Sequence, residues 1–280
     1  MLKTTALFLL SIFAFSGQTQ AWGADGHIAV AQVAQSYLSP KASNAVKSIL
    51  DPSTGGTLDS VANWADHVRG VLPWSGALHF FNSPNDDPPK QCTFTWKQGG
   101  ADVINAIYNY TDRLTHEKDA HQREQALRFL VHFMGDSHQP LHMCGKLKGG
   151  NDAPAIFEGH KTSLHSVWDS RILTKISREL GTVSFVDHVK NLTKTVWKKE
   201  SKTWSVCPSA GKNAPPVCPE HWLQPIGKLN CEVVWQNYSP TTELSTGAYW
   251  DKVSKNLVVE RVVAQAGVRL AAVLNTILGK

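Results

Sequence analysis

The stretch from His132 to His142 constrains this chain more than any other. His132 and Asp136 are four residues apart, so on a helix they project from one face, one turn above the other. Pro140 cannot continue that helix and turns the chain just before His142. A helix that offers two nitrogen or oxygen donors and then breaks to deliver a third is a scaffold for zinc. Alone the signal is weak: in a chain with 12 histidines, such a pair is more often a capped, solvated helix face.

The device recurs at His165 and Asp169, again four apart and set in an apolar stretch with Leu164, Val167 and Trp168. An unpaired histidine and aspartate there would be costly to bury. Two such pairs on neighbouring stretches raise the expectation that both serve metal.

Residues 1–21 read as a signal peptide. Lys3 gives a positive start, Ala6 to Phe15 is an apolar run of that length, and Ala21 is a small residue at the expected cleavage point. The remainder, 22–280, is long enough for one domain with a full core. No later stretch is apolar enough to span a membrane, so the expectation is a secreted or periplasmic protein without stable membrane association. Nothing implies a protein partner. Five cysteines fit an oxidising compartment but cannot all pair within one chain. Cys207 and Cys218 flank a Pro/Gly-rich loop and are expected to close it. Cys92 with Cys231 would then form a long-range pair, leaving Cys144. That residue follows His142 by two, which leaves a fourth-ligand role open beside the preferred reading as a buried free thiol. Three sequons, at Asn109, Asn191 and Asn237, would be glycosylated in a eukaryotic secretory path and carry no meaning in a bacterium. A formal charge of +5 permits a polyanionic partner without requiring one.

The rest of the pattern is helical. Apolar residues recur at helical spacing over 28–38, 42–50, 58–71, 101–114, 124–134, 164–180 and 183–199, and one or two more helices fit 249–278. Strand signals are few and short. The predicted fold class is all-α, a single mostly helical domain with no repeats. A free amine at Trp22, with its own carbonyl, would chelate a metal, and His27 would complete that site; a frayed terminus is the ordinary alternative.

Taken together, Trp22, His27, Asp66, His79, His132, Asp136, His142, His165 and Asp169 form an ordered ligand set. With the motifs Trp64-Ala65-Asp66, Leu78-His79-Phe80, Gly149-Gly150-Asn151 and Leu164-His165-Ser166-Val167-Trp168-Asp169, it closely resembles the zinc-dependent single-strand-specific nucleases of fungi, plants and microbes. That family is related in fold to bacterial zinc phospholipase C. The resemblance covers nearly all of the chain after residue 21, including Ala266 to Ala271 in the last helix.

The resemblance implies three Zn2+ ions. Asp66, His79, His132 and Asp136 would hold the first, and His142, His165 and Asp169 the second. The Trp22 amine and carbonyl, His27 and a shared Asp136 would hold the third. Independently of any family, imidazole and amine nitrogens suit zinc better than magnesium. The implied activity is endonucleolytic hydrolysis of single-stranded RNA and DNA to 5′-phosphorylated products, with 3′-nucleotidase activity on nucleotides as an extension. Arg69, one turn from Asp66, would reach the phosphate. Phe80 would stack a base, and Asn151, with Asp152, would read a base edge.

One position departs from the family. Three residues after His79 the family often has an aspartate that orients the attacking water, whereas this chain has Asn82, which hydrogen-bonds but takes no proton. Lys190, Lys194, Lys198, Lys199 and Lys202, interleaved with Trp197 and Trp204, offer a second nucleic-acid surface, although a solvated helix face is the commoner outcome. Competing readings are a zinc phospholipase C, which Phe80 and Asn151 disfavour, and a non-catalytic zinc-binding protein, which open positions on the second ion disfavour.

Overall fold

A computed structural model describes residues 22–208 and 217–279; the expected signal peptide lies outside the described residues. The chain is mostly helical, as expected. Three of the first five α-helices start at a residue whose side chain satisfies an orphan amide. Ser39 accepts from Ala42 N at 3.2 Å before α2 (Pro40–Ile49). Asp102 caps α4 (Val103–His116) through Asn105 N at 2.9 Å, and Asp119 caps α5 (Ala120–Asp136) through Gln122 N at 2.8 Å. That last cap starts α5 ahead of the apolar run over 124–134.

Helix α1 (Ala24–Tyr37) buries Ala29, Ala31, Val33 and Ala34, small side chains that let it lie against the C-terminal helix Val258–Leu278. Helix α5 packs against α1, α4 and that C-terminal helix, which explains why its last two turns, from Phe129 to Asp136, are buried all round. The metal-type residues of α5 are therefore carried on the most enclosed element of the fold. Two disulfides, Cys92–Cys231 and Cys207–Cys218, pair as expected, and Cys144 is free and buried. Among the described residues no helix is long and apolar enough to cross a membrane.

Several expected boundaries are corrected. Residues 58–71 are not one helix but a 3-10 turn, Asp59–Val61, followed by the short α3, Trp64–Val68. The Ala62 carbonyl, which a continuous helix would use internally, instead accepts from His132 Nδ1 at 2.7 Å. Residues 164–180 keep a helical path but widen into a π-turn at Val167–Arg171, a distortion frequent at functional sites. The helix expected over 183–199 ends at Lys194, because the chain then folds Trp197 into the core.

Two elements escaped the sequence pattern. A hairpin pairs Pro154–Phe157 with His160–Ser163 through Glu158 and Gly159, both at positive φ, as a two-residue hairpin turn requires. A helix, Pro219–Leu229, begins with proline in its first turn and carries Pro225 inside.

Candidate metal centre

The centre is assembled at the C-terminal turn of α5. Asp136 and His132 are fully buried, and both oxygens of Asp136 face imidazoles. Its Oδ2 lies 2.9 Å from His79 Nδ1 and 3.2 Å from His132 Nε2. Its Oδ1 lies 3.3 Å from His27 Nε2 and 3.8 Å from His142 Nδ1. Asp66, on α3, brings Oδ1 to 3.7 Å from both His79 and His132.

Among the described residues three groups have donor atoms all within 4.8 Å of one another: His27 with Asp66 and His132, His79 with His132 and Asp136, and His142 with His165 and Asp169. The structure thus brings together eight of the nine residues singled out as ligands. Trp22, the ninth, is wholly buried, and the next residue ties the strand in place, Gly23 N donating to Asp169 O at 2.8 Å.

Backbone carbonyls aim the rings. His132, His142 and His165 donate from Nδ1 to Ala62 O, His79 O and Gly149 O at 2.7, 2.6 and 2.6 Å, which leaves each Nε2 as the lone-pair nitrogen. The Gly149 carbonyl reaches His165 because the chain turns left-handed there. Gly149 has φ +62, and a Cβ would stand 2.7 Å from Leu141 O. Gly135 serves the opposite side: a Cβ there would lie 2.7 Å from His27 Nδ1, so only glycine lets that ring stack on His132, centroids 3.8 Å apart.

The donor set fits a cation. Both nitrogens of His27, Asp66 Oδ1, His79 Nε2, Asp136 Oδ1 and His142 Nε2 are buried without a hydrogen-bond partner. Orphaned polar atoms on this scale are costly, and a metal ion among them removes the cost. Burial pushes the His142 imidazole down to about 3 and also lowers His27 and His79, which favours the neutral, ligating ring. Burial acts to raise the Asp136 carboxyl, but His132, His79 and His27 outweigh it and hold the group well below the usual carboxylate range. Imidazole with carboxylate suits zinc and its neighbours rather than magnesium.

A cleft of about 630 Å³ opens on this centre, with Arg69, Phe80, Asn82, Asn151 and Asp152 in its wall. Arg69 Nη1 is 3.6 Å from Asp66 Oδ1. Phe80 is 39% exposed, unusual for a ring of its size. Asn151 donates from Nδ2 to Lys148 O at 2.7 Å, while its Oδ1 is buried with no partner. Asp152 pairs with Lys148 at 2.9 Å.

Sequence reasoning missed Gln139, which is wholly buried. Its amide donates to Asp169 Oδ1 and accepts from Leu141 N, tying one metal-type segment to the next. Its position just before Pro140 was the available signal. Cys144 lines the cleft but belongs to none of the three donor groups found among the described residues, so the geometry gives the fourth-ligand reading no support. The Lys/Trp surface is also corrected. Trp197 and Trp204 are buried, 4% and 6% exposed, with Arg261 over both rings, so they form core rather than a stacking platform.

Compared with known proteins, residues 22–279 match the family model described as S1/P1 nuclease. The chain is 33% identical over 271 residues to Endonuclease 2 of Arabidopsis thaliana, covering 92% of this chain and 91% of that protein. It is 33% identical over 270 residues to Nuclease P1 of Penicillium citrinum, covering 92% and 98%. With Nuclease S1 of Aspergillus oryzae the identity is 30% over 271 residues, covering 92% of each.

Proposed function

We propose, from the premise that this chain belongs to the S1/P1 nuclease family, that it is a zinc-dependent endonuclease hydrolysing single-stranded RNA and DNA to 5′-phosphorylated products, with 3′-nucleotidase activity. The observation that carries this reading is the joining of three His/Asp donor groups to a cleft that also holds a half-exposed ring and an unpartnered amide oxygen. In this reading residues 1–21 are removed, 22–280 form the nuclease domain, and the protein acts in the periplasm or outside the cell. Two disulfides support an oxidising compartment.

Asp66, His79, His132 and Asp136 would hold one zinc; His142, His165 and Asp169 a second; and the Trp22 amine and carbonyl, His27 and Asp136 a third. When bound, zinc makes water nucleophilic at neutral pH and draws charge from the phosphate. The side chains supply the rest. Arg69, held near Asp66 at the cleft wall, offsets charge on the phosphate oxygens as the bond breaks. Phe80 stacks the base beside the scissile bond. Asn151 has its Nδ2 committed to Lys148 O, so its Oδ1 accepts from a base amino or imino group, which is accessible only when the strand is unpaired. Asp152 stays beside it, paired with Lys148. Asn82 orients water through its amide without taking the proton.

The test is a single assay of the zinc-loaded protein on single-stranded DNA, RNA, duplex DNA and phosphatidylcholine, with product ends identified. The expected result is rapid cleavage of both single strands to 5′-phosphates and little action on duplex or lipid. Turnover of phosphatidylcholine with inert nucleic acid would replace this reading with a phospholipase, and no turnover at all would leave a zinc-binding protein.

A further inference from the structure

We propose that Lys148 is a specificity-determining residue of the metal cleft, binding the 5′-phosphate of the nucleotide whose 3′ oxygen is released. The proposal rests on the nuclease reading and deepens it. Of two substrates alike at the scissile bond, the one that carries this extra phosphate is held more tightly.

The backbone singles the residue out. Leu147, Lys148, Gly149 and Gly150 are four successive left-handed residues, with φ of 48°, 54°, 62° and 79°. Glycine adopts this conformation freely, whereas Leu147 and Lys148 carry a Cβ and are strained in it. Hydrogen bonds hold the turn closed: Gly150 N donates to Lys146 O at 2.9 Å and Asp152 N to Leu147 O at 3.0 Å. A glycine at 148 would form the same turn without the strain. What the lysine adds is a cation at the cleft wall, and strain of this kind gathers at ligand-binding sites. Lys148 Nζ meets Asp152 Oδ2 at 2.9 Å with both side chains largely exposed, a pair that contributes little to stability. An ammonium has three donors; Asp152 takes one, orients the group and leaves the others for a phosphate.

Among the described residues that line the cleft, Arg69 and Lys148 are the arginine and lysine side chains. They serve different parts of the donor set. Arg69 stands by Asp66 of the first donor group, where the scissile phosphate is held. Lys148 precedes Gly149, whose carbonyl holds His165 of another group. The same turn carries Asn151, whose Nδ2 donates to Lys148 O at 2.7 Å and whose Oδ1 is offered to the base. The base met by Asn151 and the anion met by Lys148 therefore belong to one nucleotide. That nucleotide bears the scissile phosphate on its 3′ oxygen, so its other charged group is the phosphate on its 5′ oxygen.

The test compares thymidine dinucleotides with and without a 5′-phosphate as substrates of the zinc-loaded protein. In the wild type the phosphate should lower KM about three- to tenfold, the size of one exposed charge-assisted contact, and leave kcat unchanged. Lys148→Gln should lose that gain, and Lys148→Arg, which restores the cation, should recover it. Lys148→Gly relieves the strain, so it should melt close to the wild type and lose the same gain, which separates a binding role from a folding one. Equal KM for the two dinucleotides in the wild type would overturn the proposal without any variant, as would a gain retained by Lys148→Gln or Lys148→Gly. The same pair with a sulfur-substituted linkage that resists hydrolysis, followed by titration calorimetry, reads binding alone. Tighter binding of the 5′-phosphorylated analogue, lost in Lys148→Gln, with no dinucleotide cleaved, would refute the nuclease reading and leave the phosphate contact standing.

Discussion

Removing the Phe80 ring tests the base-stacking role most directly. The ring is 39% exposed at the cleft wall, while the backbone around it is anchored independently: Phe80 O accepts from Val103 N at 3.1 Å, and Phe81 N donates to His142 O at 2.7 Å. Phe80→Ala should therefore keep the strand beside His79 in place and lose the stack. A base–aromatic stack contributes about 1–3 kcal/mol. At about 1.4 kcal/mol per factor of ten in rate, kcat/KM on a dinucleotide should fall between roughly five- and 150-fold. The control is the same sugar–phosphate diester lacking the base, on which the loss should stay within about twofold. Phe80→Tyr should restore most of the dinucleotide rate, because the stacking face returns. Equal losses on the base-bearing and abasic substrates would mean that the ring packs the metal centre and reads nothing.

Three further outcomes follow from the same structure. Because Trp22 is buried and Gly23 is tied to Asp169, a protein retaining one extra residue before Trp22 should bind about one zinc fewer and lose most activity, whereas Trp22→Ala with a free terminus should lose less; full zinc content in the extended form would remove the terminal amine from the centre. Chelation should abolish activity and lower the melting temperature by several degrees, since α1, α3, α5 and the 164–171 turn all converge on the donor set; a chelated protein that melts unchanged would make the metals peripheral. Burial raises the Glu260 carboxyl from about 4.5 to about 7, and among the described residues His188, 3.9 Å away, is the one ion-pair partner facing it. The folded chain then holds a proton that the unfolded chain releases, so this contribution is full below about pH 4.5 and is lost as pH rises through 7. Glu260→Gln should be more stable than the wild type by about 3 kcal/mol at pH 8 and equal to it near pH 4.5; a gap that does not change with pH would refute the burial argument.

The parts of the centre legible in the sequence are those set by local geometry. His132 with Asp136 and His165 with Asp169 are fixed by helical spacing, and the second pair survives the π-turn with His165 Nε2 and Asp169 Oδ2 3.0 Å apart. Caps such as Asp119 could have placed the start of α5 correctly, since the residue type alone carries that signal. What the pattern could not show is how the backbone is used across distance. The segment 58–71 has the composition of one helix, yet the Ala62 carbonyl serves a histidine 70 residues away, and the helix breaks to release it.

The same reasoning explains why Asp136 reads as one ligand among nine in sequence and as the hub in space. Its pairing with His132 is local, but three of its four imidazole neighbours arrive from α1, from the 73–79 turn and from the turn after Pro140. Two of these approaches depend on features with no periodicity, Gly135 making room for His27 and His79 O holding His142, and so does the setting of the neighbouring carboxylate, Asp169, by Gln139. A periodic signal reports which face of an element is buried. It carries no information about which buried polar atoms will face one another, and in this chain those encounters form the centre.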